Sequence, residues 1–149
     1  HDLHPPVQHR ARSRRAKPMT DRSVADAPSV IRADERREAT GLPQGVVGQQ
    51  TFHDAKAWVG FLRLAPGSRS PWHHHGEYDS YAYVMAGVLR WDHGPGGRDS
   101  TTVRAGDVGR MPARIVHCDV SDGDEDLEMV LFRAGSGELT IDVEGPEPG

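Results

Sequence analysis

The sequence lacks features that disulfide-bonded, membrane-spanning and nucleic-acid-binding proteins need. Its 149 residues contain a single cysteine, Cys118, so no disulfide can form within the chain, and a cytoplasmic location is expected. No apolar run approaches the roughly 20 residues that a membrane-spanning helix requires. The formal net charge of -4 lacks the basic excess of a nucleic-acid-binding protein. We therefore expect neither a membrane nor a nucleic-acid partner.

Glycine and proline, by contrast, are abundant. The chain has 17 glycines and 11 prolines, which indicates many turns, and its length suits one folded domain. From Val46 onward, short segments rich in valine, leucine and aromatic residues alternate with these turns. About ten short strands of this kind predict an all-β sandwich or barrel.

The first 44 residues differ from the rest. Residues 1–18, HDLHPPVQHRARSRRAKP, are basic and lack hydrophobic periodicity. We expect them to be upstream or vector-derived sequence, or alternatively a basic arm, largely disordered or extended. Residues 31–40 fit either a short helical turn or an extended arm along a sheet edge. The predicted division is a polar segment over 1–44 and the folded domain over 45–149.

Three consecutive histidines, His73 to His75, stand between a Pro-Gly turn and a run rich in tyrosine and valine. Side chains alternate along a strand, so His73 and His75 face one way and His74 the other. Two imidazoles on one strand face can share a divalent metal ion. A third ligand must come from elsewhere in the chain, and His117 is the candidate.

These histidines lie in two stretches that resemble the two sequence motifs of the cupin superfamily. The first motif runs from a glycine through five residues to H-x-H and later ends on another glycine. Gly67, SRSPW, His73-His74-His75 and Gly87 follow that pattern. The second motif runs from a glycine through five residues to a proline and then to a histidine. Gly106, DVGRM, Pro112 and His117 follow it in turn.

The resemblance covers roughly residues 45–143. It implies a cupin jelly roll, the double-stranded β-helix barrel of that superfamily, with a metal ion inside the barrel mouth. It also implies that His73, His75 and His117 hold the metal. Small cupins often pair through sheet edges, so a homodimer is expected.

The chain departs from the family pattern at one important position. The first motif carries a glutamate seven residues before its closing glycine, and here that position is Ser80. Two nearby carboxylates, Glu77 and Asp79, are reserve ligands, although regular alternation turns Asp79 away from the face of Ser80. We therefore predict a site of three histidines without a firm carboxylate ligand.

Three neutral imidazoles leave the full charge of a divalent ion uncancelled, which favours an anionic or chelating small-molecule substrate. The resemblance to three-histidine cupins implies a mononuclear non-haem iron(II) dioxygenase. The alternatives are a zinc, nickel or manganese lyase, isomerase or cyclase, or a cupin that binds a ligand without turnover. The residues alone do not choose between these alternatives.

Three further side chains are candidates for a catalytic role. Ser80 is placed to hold a metal-bound water, and Tyr83 is a possible proton donor, although packing is the commoner role of such a tyrosine. Arg114 replaces the glycine of the second motif and could reach the barrel mouth. One of Arg90, Arg110 and Arg114 could bind a substrate carboxylate with two parallel hydrogen bonds.

Overall fold

The structure is a computed structural model that describes residues 27–148. The expectations for residues 1–18 lie outside this range. The fold is almost entirely antiparallel β-structure, with 3₁₀ turns at Ala33–Glu35 and Pro95–Gly97. The strands of the described part are β1 (Arg37–Glu38), β2 (Val47–His53), β3 (Ala57–Leu64), β4 (His73–His74), β5 (Asp79–Ala86), β6 (Val88–His93), β7 (Asp99–Arg104), β8 (Val108–Met111), β9 (Cys118–Ser121), β10 (Leu127–Ala134) and β11 (Ile141–Asp142).

The strands form three sheets. The largest has the order β1-β2-β3-β10-β5-β8, the second has the order β7-β6-β9, and β11 pairs with β4 in the third. Neighbours in the large sheet are mostly distant in sequence, as in β3 beside β10 and β10 beside β5. The prediction of an all-β jelly roll is confirmed by this antiparallel architecture.

Strict alternation of side chains separates the core from the outer surface. Along β3 and β10 every second residue is buried, as the period of two requires. The inward-facing residues of both sheets pack together between them. The buried core consists of Trp58, Leu62, Leu64, Ala82, Val84, Leu89, Trp91, Val103, Met111, Leu127, Met129 and Leu131.

The edge of the large sheet includes residues from the polar N-terminal segment. Arg37 and Glu38 pair with Gln50 and Gln49 of β2, directly after the 3₁₀ turn. Residues 31–40 thus contain both a short helical turn and an extended piece along a sheet edge. The homodimer that we expect stays a prediction. Within residues 27–148, no helix has the length and apolarity needed to cross a membrane.

The two histidine segments meet through backbone pairing. His73 and His117 form an isolated antiparallel bridge in which each backbone N–H donates to the other's carbonyl oxygen, at 3.0 and 2.9 Å. A second isolated bridge, Arg69 to Val120, joins the same two segments. Residues paired in this way have Cα atoms only about 5.5 Å apart. The two bridges therefore hold two segments that are distant in sequence side by side at the barrel interior.

The second-motif segment also shows why a glycine is usual where this chain has Arg114. Arg114 has a φ of 64°, and it is the only non-glycine residue with a positive φ within the described range. Residues that have a side chain rarely adopt this left-handed backbone conformation, which glycine adopts without steric cost. The turn between β8 and His117 therefore places Arg114 in a conformation that favours glycine.

Candidate metal centre

Three imidazole rings converge inside the barrel. The ring centroids of His73, His75 and His117 lie 4.4 to 5.0 Å apart. One nitrogen from each ring falls within 4.8 Å of the others, and all three residues are buried. His74, between the first two, faces away and accepts a hydrogen bond on Nδ1 from the N–H of Gly76. The sequence-predicted ligands are thus brought together in space.

Each of the three rings is oriented by the backbone. A carbonyl oxygen accepts hydrogen bonds only, so each Nδ1 in contact with one must carry the proton. The acceptors are the carbonyls of Pro71 for His73 (2.7 Å), Leu139 for His75 (2.6 Å) and Ile115 for His117 (2.8 Å). The lone pair of every ring is therefore on Nε2. This is how metal-ligating histidines are usually held.

The donor set fits a divalent first-row metal ion. The Nε2 atom of His73 is fully buried and makes no hydrogen bond with any described residue. Burial lowers the pKa of His117 to about 4. Burial, with the charges of Arg133 and His117, also holds the pKa of His75 well below its usual value. Neutral imidazoles with free Nε2 lone pairs are the form that binds zinc, iron or manganese.

A carboxylate that the sequence reasoning missed lies beside this cluster. Asp119 places Oδ2 3.2 Å from Nε2 of His73 and Oδ1 3.8 Å from Nε2 of His117. The indole N–H of Trp91 donates to Oδ1 at 2.8 Å. The signal was present in the sequence, because Asp119 follows His117 by two residues and so shares its strand face.

Asp119 is ionised in this environment. Burial raises the pKa of its carboxyl, but the adjacent His73 imidazole and the rings of His117 and His75 outweigh burial and lower it. In the same way, burial lowers the pKa of His73, yet the charge of Asp119 raises it overall. Because Nδ1 holds the ring proton, the Nε2 lone pair of His73 faces a negative oxygen. A cation between the two groups satisfies both.

The predicted carboxylate candidates of the first motif point elsewhere. Oδ1 of Asp79 accepts the backbone N–H of Ala113 at 2.9 Å, and Glu77 pairs with Arg114 on the surface. Ser80, in contrast, is 2% exposed and lines the same cavity as the histidines. The register anticipated from alternation therefore holds, with Ser80 facing inward where the family motif has its glutamate.

Two of the proposed catalytic side chains are not near the histidines. Tyr83 is 46% exposed on the outer face of β5. The Arg114 side chain is 71% exposed and pairs with Glu77, so it does not reach into the barrel. The other candidate arginines also form surface ion pairs, Arg110 with Asp79 and Arg90 with Asp92. None of these side chains therefore lies where its predicted catalytic or substrate-binding role would place it.

The arginine that does reach the interior is Arg133, which sequence reasoning overlooked. It is 1% exposed and lines the cavity of the histidines. The alternation along β10 indicates this inward position, since Arg133 continues the row of inward-facing residues Leu127, Met129 and Leu131. A charged residue at an inward position of a core strand is rare, because burying an unpaired charge is costly.

The cavity beside the cluster is small and mostly enclosed. Its volume of about 20 Å³ is enough for one water molecule or one small group. Polar and apolar side chains share its wall. The lining residues are Pro43, Val46, Leu62, His75, Ser80, Trp91, Met111, His117, Asp119, Met129, Leu131 and Arg133. Pro43 comes from the segment before β2, so part of the polar N-terminal region helps to close the site.

Comparison with known proteins identifies the fold. Two solved structures resemble the chain, each with a TM-score of 0.59. One is a conserved protein with a double-stranded β-helix domain from Klebsiella pneumoniae, 20% identical, with 68% of this chain and 81% of that chain covered. The other is KdgF from Halomonas sp., 16% identical, with 73% and 96% covered. At these identities the likeness establishes the fold alone.

A third similar structure is an oxalate decarboxylase from Bacillus subtilis, with a TM-score of 0.58 and 19% identity. The alignment covers 68% of this chain but 30% of that longer one. The Mn(II) centres of this Bacillus enzyme are named in another of its structures. No curated protein matches the chain by sequence.

Residues 60–133 match the cupin domain family. This match includes all three histidines, Asp119 and Arg133. Together with the double-stranded β-helix architecture, it accounts for the position of the histidine cluster inside the barrel. Residues 60–133 thus belong to a small cupin domain, which holds a three-histidine cluster in its interior.

Proposed function

We propose that this cupin is a metal-dependent enzyme that acts on a small anionic molecule, with iron(II) as the metal and a dioxygenase reaction. The observation that carries the proposal is the orientation of the three imidazoles. Each Nδ1–H is held by a backbone carbonyl, so the three Nε2 lone pairs are left free in one buried cluster of rings. Such a cluster is costly to bury unless a cation binds there.

The ligand set favours oxygenase chemistry for a physical reason. Three protein ligands leave coordination positions open, which iron(II) uses to bind a substrate and dioxygen together. Ser80 stands where the family motif has a glutamate, so no carboxylate from β5 occupies one of these positions. The apolar wall contributed by Leu62, Met129 and Leu131 keeps bulk water away from the reacting groups.

A second candidate function is supported by Asp119. An ionised, buried carboxylate next to the ligating nitrogens can accept a hydrogen bond from a metal-bound water or substrate and so orient it. With manganese or zinc, which polarise a carbonyl or carboxylate, this arrangement suits a lyase or isomerase. The fold likeness to a decarboxylase with Mn(II) centres is consistent with this alternative.

One experiment separates the two functions. The protein, purified without an affinity tag, is analysed for bound metal and then loaded anaerobically with iron(II), manganese or zinc. Oxygen uptake is measured over a panel of diketones, thiols and small carboxylic acids. Uptake with the iron form alone supports the dioxygenase. Turnover without oxygen in the manganese or zinc form supports the second function, and turnover in neither form contradicts both.

A further inference from the structure

The cavity of the metal centre holds two buried polar groups whose hydrogen-bonding capacity is not used. Nε of Arg133 and Oγ of Ser80 are both fully buried and have no hydrogen-bond partner among the described residues. Leaving such groups unpaired in a protein interior destabilises the folded state. Both residues line the cavity that also contains His75 and His117. Two such groups in one cavity are suited to bind a small polar ligand.

Strand pairing places these two groups next to each other. Arg133 of β10 is the direct cross-strand partner of Ser80 of β5. Side chains at directly opposite positions have Cβ atoms about 4.5–5.5 Å apart on the same face of the sheet. A single group of a few atoms can therefore contact both the guanidinium and the hydroxyl.

The charge of Arg133 has no counter-ion in the described part of the chain. Its guanidinium donates through Nη1 to the carbonyl of Leu139 and lies 5.2 Å above the Trp58 ring, but no carboxylate forms an ion pair with it. Asp119, in the same cavity, is engaged by Trp91 and His73 instead. Burial lowers the pKa of Arg133 to about 10, so the side chain still carries its charge at neutral pH.

We propose that Arg133 and Ser80 form an anion subsite beside the three-histidine cluster, which receives a carboxylate group of the substrate. The family motif has a glutamate at the position of Ser80, and a glutamate there would face Arg133 directly. Serine leaves the arginine free to pair with a carboxylate from outside. Such a charge-assisted contact would hold the acid group of a substrate while its neighbouring atoms face the histidines.

The anion subsite rests on the proposed function only in that the bound carboxylate belongs to a substrate, and binding of an anion there can be tested separately. The probe is oxalate, a small dicarboxylate, and oxamide is the uncharged control of similar size. Binding is measured by titration calorimetry on the full chain, both metal-free and metal-loaded. We expect oxalate to bind in both states, more tightly with metal, and oxamide to bind at least about tenfold more weakly.

Two variants test the assignment of the subsite. Arg133→Met should weaken oxalate binding by about tenfold or more while its affinity for the metal changes less than about twofold. Because Arg133 also contacts Leu139 and Trp58, this variant could lose its fold, which thermal unfolding will reveal. Ser80→Glu keeps those contacts but provides an internal carboxylate opposite Arg133, and it should exclude oxalate from the metal-free protein.

The outcomes are distinct. If folded Arg133→Met and Ser80→Glu both bind oxalate as the parent does, or if the parent binds oxamide as well as oxalate, the subsite is overturned. No oxalate binding by the parent in either state overturns it too. If the parent binds oxalate through Arg133 but takes up no metal, the subsite stands and the proposed metal-dependent function fails.

Discussion

Charged residues behave differently in two regions of the barrel, its interior and the set of surface ion pairs that we call the rim. At the rim, Arg90, Arg110 and Arg114 each pair with an aspartate or glutamate of the same surface. In the interior, Arg133 has no ion-pair partner within residues 27–148, and three buried histidines lie around one anion, Asp119. Charges that neutralise one another at a surface contribute little to stability. Buried groups left with unused capacity point to something that binds them.

The difference also decides which substitutions should matter. Changes at the rim should alter stability slightly and leave ligand binding unchanged. Changes in the interior should alter metal or anion binding strongly.

His117→Ala should have the largest effect. It removes one of three converging Nε2 donors, so we expect metal affinity to fall by more than about 100-fold, since even the hydrogen-bond partners of ligating histidines typically contribute roughly 10–100-fold. Metal affinity is measured by competition with a chromogenic chelator. His74→Ala is the matched control, because that imidazole lies on the same histidine run but faces away from the cluster. Equal affinities for the two variants would contradict the site.

Asp119→Asn should have an intermediate effect. The amide keeps the size of the side chain and can still accept the indole N–H of Trp91, but it removes the negative charge beside His73. We expect metal affinity to fall by about 10–100-fold while the fold is retained. The visible absorption spectrum of the cobalt(II) form provides a second readout of the metal environment. An unchanged spectrum and affinity would leave Asp119 with only the structural task of holding Trp91.

The sequence was sufficient to predict the fold and to single out three histidines that the barrel brings together. Motif spacing and strand alternation are short-range patterns that pick out these residues, and the bridge between His73 and His117 then holds their two segments side by side. Alternation also placed Ser80 inward and Asp79 elsewhere. These features depend on period and spacing, which can be counted along the chain.

The rest of the site depended on which strands become neighbours. Arg114 seemed a candidate because it stands in a motif, but a turn with positive φ carries it out to Glu77. Arg133 stands in no motif, and only the pairing of β10 with β5 places it opposite Ser80. Nothing in the local sequence states that two strands more than forty residues apart are partners. The charge that completes the cavity was therefore visible only in three dimensions.

The smallest effect should be found at the rim, in the pH dependence of stability. Burial raises the pKa of Asp92, but hydrogen bonds from Arg90 and Arg69 outweigh it and lower the pKa below its usual value. A carboxyl whose pKa is lowered by folding stabilises the protein above its unfolded pKa, near 3.9, and loses that contribution as pH falls through the folded value.

The variant Asp92→Asn should therefore lower the free energy of unfolding by less than about 1 kcal/mol at pH 7 and leave it unchanged at the lowest pH where the fold survives. Urea unfolding of both proteins at pH 7 and below pH 4 measures this difference, and metal affinity should be the same in both proteins. A cost of several kcal/mol at pH 7, or a loss of metal binding, would show that the rim charges are coupled to the interior, and the contrast between the two regions would no longer hold.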